Sequence, residues 1–423
     1  MPADPISRAL QAIHDDVERL DDGAVADYIP TLAAADPDRF GLAVASLGGR
    51  VYSAGDADDA FTIQSASKPF VHALALAALG LEEVLRHVGA EPTGEAFNAV
   101  SLEPGTGRPF NPMINAGAIV TTSLLATDAA PGFEGVLAGL SAFAGRRLDV
   151  DEATFESERE TGDRNRALAY LMKAAGSLRG PVEAIVDAYF RQCSVLVTAT
   201  DLAVMAATLA NGGVNVKTGE RVVGPSEAAQ AVTVMATCGM YDYSGEWLLR
   251  ARLPAKSGVS GALLAVSPGQ FGIGLFSPRV DAGGHSVRAV AAVQRITEQF
   301  ELDLTRHPGL TSPPVRERRE HNGVAVWTLQ GELDFAAAEI VLRELDFVGV
   351  DGAVVLDLSA VTAVWPVSDR LLAAAIANLI GAGTRVAVVG RDVPGSAAPG
   401  FATVPDAAAW CRAAGLQPRG RRG

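Results

Sequence analysis

Two predicted β-hairpins on either side of a long helical stretch constrain the fold more than any other feature of this sequence. The first hairpin covers Phe40–Ala54, with two glycines in its turn, and the second covers Ala262–Phe276, with Pro and Gly in its turn. The sequence from about residue 111 to residue 213 has a mostly helical pattern, and another helix is expected at Val287–Phe300. This order predicts an α+β domain in which the early and late strands meet in one sheet.

One helix in the middle of the chain is defined at both ends by its sequence. Thr198 and Asp201 have the spacing of a capping box, which marks a helix start. Apolar residues then recur at helical spacing until Gly212 and Gly213, where a helix is expected to end.

The chain is also expected to contain a second, smaller domain. At 423 residues it is too long for one compact core. Prolines, glycine and accumulated charge at 306–319 are typical of a linker. Beyond it, β-rich runs alternate with helical patterns, as in a small α/β domain. We therefore predict a larger domain at 1–305, a linker at 306–319 and a second domain at 320–423.

Composition narrows the class of protein. Hydrophobic residues make up 48% and charged residues 20% of the chain, as in soluble globular proteins. The net charge of −14 argues against a nucleic-acid or anionic-membrane surface. We expect no signal peptide, no membrane span, no metal site and no cofactor. Three cysteines far apart fit a reducing cytoplasm better than a disulfide scaffold.

The motif with the clearest chemistry is Ser65–Lys68, which has the pattern S-x-x-K. A Ser and a Lys three apart on a helix share one face, so the Lys amine can act as general base for the Ser hydroxyl. Pro69 fits only near a helix start, which places the motif at the first turn, where backbone N–H groups favour developing negative charge. The plain alternative is an exposed Ser and Lys, because this short pattern is frequent by chance.

A second short motif, Lys256–Gly258, opens the later hairpin. In serine acyl-transferases a K-[ST]-G strand lines the site opposite the S-x-x-K helix. Residues 217–219 have the same pattern but lie in a polar turn, so we discount them. None of the six histidines falls in a cluster with Ser and Asp, which argues against a Ser-His-Asp triad. Lys68 must then be the base, with its pKa lowered by burial and by Lys256.

Longer blocks of sequence resemble the serine-dependent glutaminase family. They occur in family order over about residues 5–305, and they are 64–68, 111–119, 157–158 with 161–167, 189–194, 237–242 and 256–261. The resemblance implies a β-lactamase/DD-peptidase-like fold, with an antiparallel sheet plus a helical subdomain, and hydrolysis of L-glutamine to glutamate and ammonia. It also suggests a homodimer or homotetramer.

The same resemblance implies roles for individual residues. Ser65 would be the nucleophile, Lys68 its base, and Tyr241 would help move the proton to the departing ammonia. Backbone N–H groups of Ser65 and Val259 would form the oxyanion hole, and Lys256 would support the site. The residues implied to hold the amino-acid head group are Tyr28, Asn115, Glu158, Asn165 and Tyr189.

Elementary chemistry agrees with part of this assignment. The ammonium group of glutamine needs an acceptor such as Glu158, and its carboxylate needs several donors. The plain alternative for Glu158 is a solvated face, because it lies in an acidic run.

Residues 324–423 resemble a STAS domain of the anti-sigma-factor-antagonist type. The matching stretches are 329–334, 354–359 and 383–390. Many such domains carry a phosphorylated Ser or Thr followed by Gly at the start of the second helix. Here the stretch is Val364–Asp369, in which Ser368 is displaced and lacks the Gly, so a kinase-driven switch is doubtful. The domain is expected to bind a protein partner or to dock on the catalytic part.

The leading hypothesis is a cytoplasmic glutaminase with an appended regulatory domain. One alternative is a penicillin-interacting serine hydrolase of the same fold, because Leu209–Gly213 would also suit that superfamily. A second alternative is a non-catalytic, glutamine-sensing signalling protein that acts through its C-terminal domain.

Overall fold

The computed structural model forms two compact units. The larger comprises Leu10–Glu298 and Leu302–Arg306, and the smaller comprises Met1–Ala9, Gln299–Glu301 and His307–Gly423. The residues that the structure describes are 4–27, 29–94, 102–125, 132–305, 312–321, 324–345 and 352–413.

The helices and strands of the described residues up to Phe300 fall into three groups. The first group is α1 (Pro5–Val17), α2 (Pro30–Ala33), β1 (Gly41–Ser46), β2 (Val51–Gly55), β3 (Phe61–Thr62), α3 (Lys68–Leu79) and α4 (Leu81–His87). The helical middle is α5 (Asn115–Leu125), α6 (Gly132–Ala144), α7 (Glu152–Thr161), α8 (Asp163–Ala174), α9 (Val182–Cys193), β4 (Leu196–Val197), α10 (Ala199–Ala210), α11 (Pro225–Cys238) and α12 (Ser244–Ala251). The third group is β5 (Ala255–Ser257), β6 (Ala262–Ser267), β7 (Phe271–Phe276) and α13 (Val287–Phe300).

The early and late strands of the larger unit meet in one antiparallel sheet, as predicted. Its order is β2-β1-β7-β6-β5, and Ala43 of β1 pairs with Gly274 of β7. Helix α10 packs closely on this sheet because β7 has glycines where the helix approaches. A Cβ at Gly274 would lie 2.3 Å from the carbonyl oxygen of Ala199, which only a residue without a side chain avoids.

The predicted capping box of α10 is confirmed. The Thr198 hydroxyl accepts from the Asp201 amide at 3.0 Å, and the Asp201 carboxylate accepts from the Thr198 amide at 2.9 Å. The Asp201 carboxylate also accepts from the Nε and Nη2 atoms of Arg146. The chain leaves the helix through Gly212 and Gly213, which have φ values of +59° and +80°.

The smaller unit contains a five-stranded sheet of order β12-β11-β10-β9-β8 with helices between its strands. Its elements are β8 (Val315–His321), β9 (Val324–Leu333), α14 (Phe335–Leu345), β10 (Ala353–Val364), α15 (Pro366–Gly381), β11 (Arg385–Val389), β12 (Gly400–Phe401) and α16 (Val404–Ala413). Strands β9 to β12 are parallel and β8 is antiparallel to β9.

Strand β8 corrects part of the predicted linker. Residues 306–319 were predicted to connect two domains, but Val315–His321 forms the edge strand of the second sheet. The charges of this segment misled the prediction. Charged side chains are common on edge strands, where they discourage pairing with other chains.

Ser368 occupies an inaccessible position near the start of α15. Its side chain is fully buried. A kinase could not reach its hydroxyl in this conformation.

Two further observations concern the chain as a whole. Cys193, Cys238 and Cys411 are buried and unpaired. Among the described helices, none has the length and apolar character needed to cross a bilayer.

Candidate active site

The S-x-x-K motif lies at a strained turn before α3. Residues Gln64–Ser67 form a single 3-10 turn, and the α-helix begins at Lys68. Gln64 has φ +50°, a left-handed conformation that is costly for a residue with a side chain and must be held by its surroundings. The Ser67 hydroxyl donates to the Gln64 carbonyl at 2.8 Å. The turn therefore presents Ser65 from a constrained backbone.

A buried chain of hydrogen bonds supports this turn from behind. The Gln192 side-chain amide on α9 donates to the Ser67 hydroxyl at 2.9 Å. The Thr122 hydroxyl on α5 in turn donates to the side-chain Oε1 atom of Gln192 at 2.9 Å. All three side chains are essentially inaccessible to solvent. Helices α9 and α5 thus hold the turn that carries the predicted nucleophile.

Lys68 is completely buried and bonded to two acceptors. Its Nζ atom donates to the Asn115 Oδ1 atom at 2.7 Å and to the Met113 carbonyl at 3.2 Å. Burial lowers the pKa of Lys68 to about 7, although neighbouring Cys193 and Glu158 act in the opposite direction. A substantial fraction of this amine is therefore uncharged near neutral pH.

Tyr241 lies against the Ser65 hydroxyl. The two side chains share a hydrogen bond, and burial raises the pKa of the Tyr241 phenol, so the group stays protonated. Tyr241 also has a left-handed φ of +56°. The Nζ atoms of Lys256 and Lys68 lie 3.9 Å and 5.7 Å from the centroid of its ring. Two amines thus flank one phenol beside Ser65.

The segment Lys256–Gly258 lies opposite the S-x-x-K turn, where the sequence predicted it. A Cβ at Gly258 would lie 3.0 Å from the Ile63 carbonyl and 3.3 Å from the Ala66 amide nitrogen, so the two backbones are in close contact. Lys256 is fully buried, and burial together with Lys68 lowers its pKa well below the usual range. The discounted copy at 217–219 is an exposed turn.

A cavity of about 310 Å³ opens onto Ser65. Six of the predicted site residues line it, namely Ser65, Asn115, Glu158, Asn165, Tyr189 and Val259. Lys68, Tyr241 and Lys256 lie in the wall behind Ser65, and Tyr28 lies outside the described residues. Sequence reasoning did not assign the other lining residues, which are Ile29, Gln64, Thr161, Gly162, Arg164 and Cys193. Most of these residues lie next to an assigned residue in one of the sequence blocks that resemble the family. Their place in those blocks was the sequence signal that could have identified them.

Glu158 is the buried member of an otherwise exposed acidic run. Glu152, Glu156 and Glu160 face solvent on α7, while Glu158 is 6% exposed. Its Oε1 atom has no hydrogen-bond partner among the described residues. Burial raises the pKa of Glu158 to about 7, against the opposing effects of a hydrogen bond from Gln64 and the charge of Lys68. An unpaired carboxylate oxygen in this cavity suits a cationic ligand.

Asn115 connects Lys68 to the rest of the cavity. Its Oδ1 atom accepts from Lys68 and, at 3.4 Å, from the Tyr189 hydroxyl. Its Nδ2 atom donates to the Asn165 Oδ1 atom at 3.1 Å. Burial is the main cause of the raised pKa of Tyr189. The cavity therefore offers one carboxylate beside several neutral polar groups, and no described set of side chains could hold a metal ion.

One histidine lies closer to this site than its sequence position indicated. His285 is 2% exposed, and its Nδ1 atom is 3.0 Å from the Ser257 hydroxyl. Its ring is 6.0 Å from that of Tyr241, centroid to centroid. Its Nδ1 atom faces Ser257, and its Nε2 atom has no hydrogen-bond partner among the described residues. A core or surface role, the default for all six histidines, is too simple for this one.

Comparisons with known proteins agree with the geometry. The family model described as glutaminase matches residues 23–304, about two-thirds of the chain. The chain belongs to the glutaminase family. The glutaminase of Corynebacterium efficiens is 42% identical over 91% of this chain and 92% of its own length. Glutaminase 1 of Bradyrhizobium diazoefficiens is also 42% identical over 91% of this chain, which spans 66% of that longer relative.

Solved structures are also similar to most of this chain. A crystal structure of Mglu in its glutamate form is 40% identical, with a TM-score of 0.71 over 91% of this chain and 98% of that one. The coverage extends beyond residue 305, so the match includes part of the smaller unit.

Proposed function

We propose that this chain hydrolyses L-glutamine to L-glutamate and ammonia through a glutamyl ester formed on Ser65. The observation that carries the proposal is the hydrogen bonding of the buried Lys68 amine. A neutral amine has two N–H groups, and Asn115 and Met113 accept both. The lone pair of the nitrogen then remains for the Ser65 proton, on the shared face of one turn.

The reaction has two halves. Ser65 Oγ attacks the side-chain amide carbon of glutamine while its proton passes to Lys68 Nζ. The N–H groups of Ser65 and Val259 stabilise the oxyanion. The C–N bond then breaks as the amide nitrogen receives a proton through the Tyr241 hydroxyl, which Lys68 replenishes, and ammonia leaves. Water adds to the ester by the same proton transfers in reverse, releasing glutamate and free Ser65.

Recognition of the amino-acid head group depends on the far side of the cavity. Glu158, with its unpaired Oε1 atom, accepts from the substrate ammonium. Asn165 and Tyr189 bind the carboxylate, together with Asn115 and the predicted contact from Tyr28. The glutamate form of the related Mglu supports an amino-acid ligand for this family fold.

The test is an ammonia-release assay with glutamine, asparagine and a penicillin as substrates. Ser65→Ala and Lys68→Ala should each abolish ammonia release from glutamine. Lys217→Ala, in the exposed turn with the same K-T-G pattern, is the matched control and should retain full activity. Full activity of Ser65→Ala would refute the mechanism. Covalent labelling of Ser65 by penicillin would favour the alternative hydrolase, and tight glutamine binding without turnover would favour a sensor.

We also propose a cytoplasmic homodimer or homotetramer whose STAS-type C-terminal domain binds a protein partner. Three buried, unpaired cysteines are compatible with a reducing compartment. The parallel strands and intervening helices of the smaller unit support the STAS assignment. Light scattering of the full chain would determine the oligomeric state, and a monomer would contradict this part.

A further inference from the structure

We propose that His285 is a positioning residue for the proposed glutaminase reaction, holding Lys256 and Tyr241 in place through Ser257. This inference rests on the proposed function, because its effect is read through ammonia release. It assigns a role to a buried histidine that is not among the residues lining the cavity.

Two hydrogen bonds in series connect His285 to the wall of the active site. The Nδ1 atom of His285 is 3.0 Å from the Ser257 hydroxyl. The carbonyl of Ser257 accepts from Lys256 Nζ at 2.7 Å. That Nζ atom lies 3.9 Å from the centroid of the Tyr241 ring. Ser257 therefore joins the imidazole to the amine that packs on the phenol.

The His285 ring also lies close to the rings of two tyrosines. Its ring lies 6.0 Å from the Tyr241 ring at an interplanar angle of 28° and 5.6 Å from the Tyr243 ring at 39°. Tyr241 has a left-handed φ of +56°, a strained conformation that its surroundings must hold. Lys256, whose Nζ atom donates to the Ser257 carbonyl, is one of the neighbours that pack on its ring.

A tight turn fixes the position of His285 itself. Its amide donates to the Asp281 Oδ1 atom at 2.9 Å, and its carbonyl accepts from the Asp281 amide at 2.9 Å. The Gly283 amide donates to the same carboxylate oxygen at 2.9 Å. The imidazole thus projects from an anchored loop, and its position does not depend on Ser257.

The two ring nitrogens of His285 have different surroundings. Nδ1 faces Ser257, while Nε2 is buried without a partner among the described residues. A proton on Nδ1 satisfies the N–H group of the neutral ring by donation to the Ser257 hydroxyl. Burial is the main cause of the lowered pKa of His285, which favours the neutral form. The hydrogen bond to Ser257 therefore requires a donor only at the position of Nδ1.

This difference defines a matched pair of substitutions. The side-chain amide of Asn reaches about as far as Nδ1, whereas that of Gln extends one atom further and overshoots Ser257. His285→Asn should retain the bond to Ser257, and His285→Gln should lose it. Both variants keep a polar side chain and remove the aromatic ring. They differ in whether the hydrogen bond to Ser257 remains, so a difference between their kcat values reports on that bond.

The expected result is a change in kcat rather than in KM. His285→Gln should lower kcat about 10- to 100-fold, because a small displacement of Tyr241 or Lys256 impairs proton transfer. KM should change less than about twofold, since Glu158 and Asn165 are held by α7 and α8. His285→Asn should stay within about threefold of the wild-type kcat. His14→Gln, a loss of another buried histidine, is the control and should leave both constants unchanged.

Ser257→Ala completes the experiment as a double-mutant cycle. If His285 acts through Ser257, then the double variant with His285→Gln should lose no more kcat than either single variant. Thermal unfolding of each variant guards against misfolding. Ser257→Ala keeps the proposal testable if His285→Gln does not fold, because it removes the same hydrogen bond and should lower kcat by a similar factor.

Several outcomes would overturn the proposal. They are a wild-type kcat in folded His285→Gln, equal losses in the Asn and Gln variants, and additive losses with Ser257→Ala. A wild-type protein without ammonia release would overturn the proposed function as well. Active wild-type protein with an active His285→Gln variant would remove only the role of His285.

Discussion

The Nζ atom of Lys68 donates a 2.7 Å hydrogen bond to the Oδ1 atom of Asn115, joining the first residues of two helices. Asn115 also donates to Asn165 at 3.1 Å in the same cavity. The proposed general base is therefore linked to the part of the site that would bind the substrate head group. Charge placed at Asn115 would act directly on Lys68.

The pH dependence of activity follows from the two shifted groups. Lys68 has a pKa of about 7 and must be neutral to accept a proton, so activity should fall as pH drops below about 7. Glu158, also with a pKa of about 7, must be ionised to bind an ammonium, so its protonation acts in the same direction. Measurement of kcat/KM against pH should give an acid limb near neutrality. A flat profile from about pH 5 to pH 9 would contradict both assignments.

Asn115→Asp should move that acid limb upward. A carboxylate at 2.7 Å from Nζ would stabilise the ammonium form and raise the pKa of Lys68. Activity at pH 7 should fall about tenfold or more and partly recover at higher pH. Asn115→Ala is the control, since it removes the amide without adding charge. An unchanged acid limb in the Asp variant would show that Lys68 is not the group that titrates.

Glu158→Gln should weaken substrate binding more than it slows chemistry. A buried charged hydrogen bond to ammonium contributes about 1.5–3 kcal/mol, so KM should rise about 10- to 100-fold. The matched control is Glu156→Gln, an exposed residue of the same helix, which should behave as wild type. A normal KM for Glu158→Gln would remove Glu158 from the head-group site.

The same substitution should change stability in a predictable direction. The folded-state pKa of Glu158 is raised from 4.5 to about 7, so the folded protein binds more protons between these values. The stabilising contribution of protonation is complete below pH 4.5 and is lost as pH rises through about 7. Glu158→Gln should therefore be more stable than wild type at pH 8, as measured by thermal unfolding. Lower stability of the variant at that pH would be the contrary result.

Gln192→Met should impair catalysis although Gln192 does not line the cavity at Ser65. It removes the donor to Ser67 behind the strained turn at Gln64 while conserving side-chain length. We expect kcat to fall about tenfold as the Ser65 backbone shifts. Thr208→Val removes a comparably buried hydroxyl bond on α10 and serves as the stability-matched control. Equal kcat values for the two variants would show that the chain of bonds is only structural.

Thr198→Ala tests the capping box. Loss of the bond to the Asp201 amide should destabilise the larger unit by about 1 kcal/mol. Urea unfolding gives the measurement, and ammonia release at 25 °C should be unchanged. Val197→Ala, at the preceding buried position, provides a comparison for loss of side-chain volume without loss of the cap.

Local sequence signals predicted local structure well. The hairpins depended on turn residues and alternating strands, and α10 depended on Thr198, Asp201 and the terminal glycines. These signals operate within a few residues, so tertiary context did not override them. The S-x-x-K and K-S-G motifs were also brought together, because their backbones meet at Gly258 and Ala66.

Long-range features were less predictable from the chain alone. The charges of β8 concealed an edge strand, since solvated linkers and protected edges have similar composition. The burial of Glu158 depended on which face of α7 meets the cavity. His285 gave no signal, because its partner Ser257 lies 28 residues earlier and the two meet only in the folded chain.

The pairing of β1 with β7 has a consequence for synthesis of the chain. Strand β1 emerges early from the ribosome, but its neighbour on one side, Phe271–Phe276, is translated only after the whole helical region. Until then the edge of β1 that pairs with β7 has no partner strand. Closure of the sheet must bring these distant segments together. Nascent chains truncated before Phe271 should therefore fail to form a protease-resistant core, whatever their helical content.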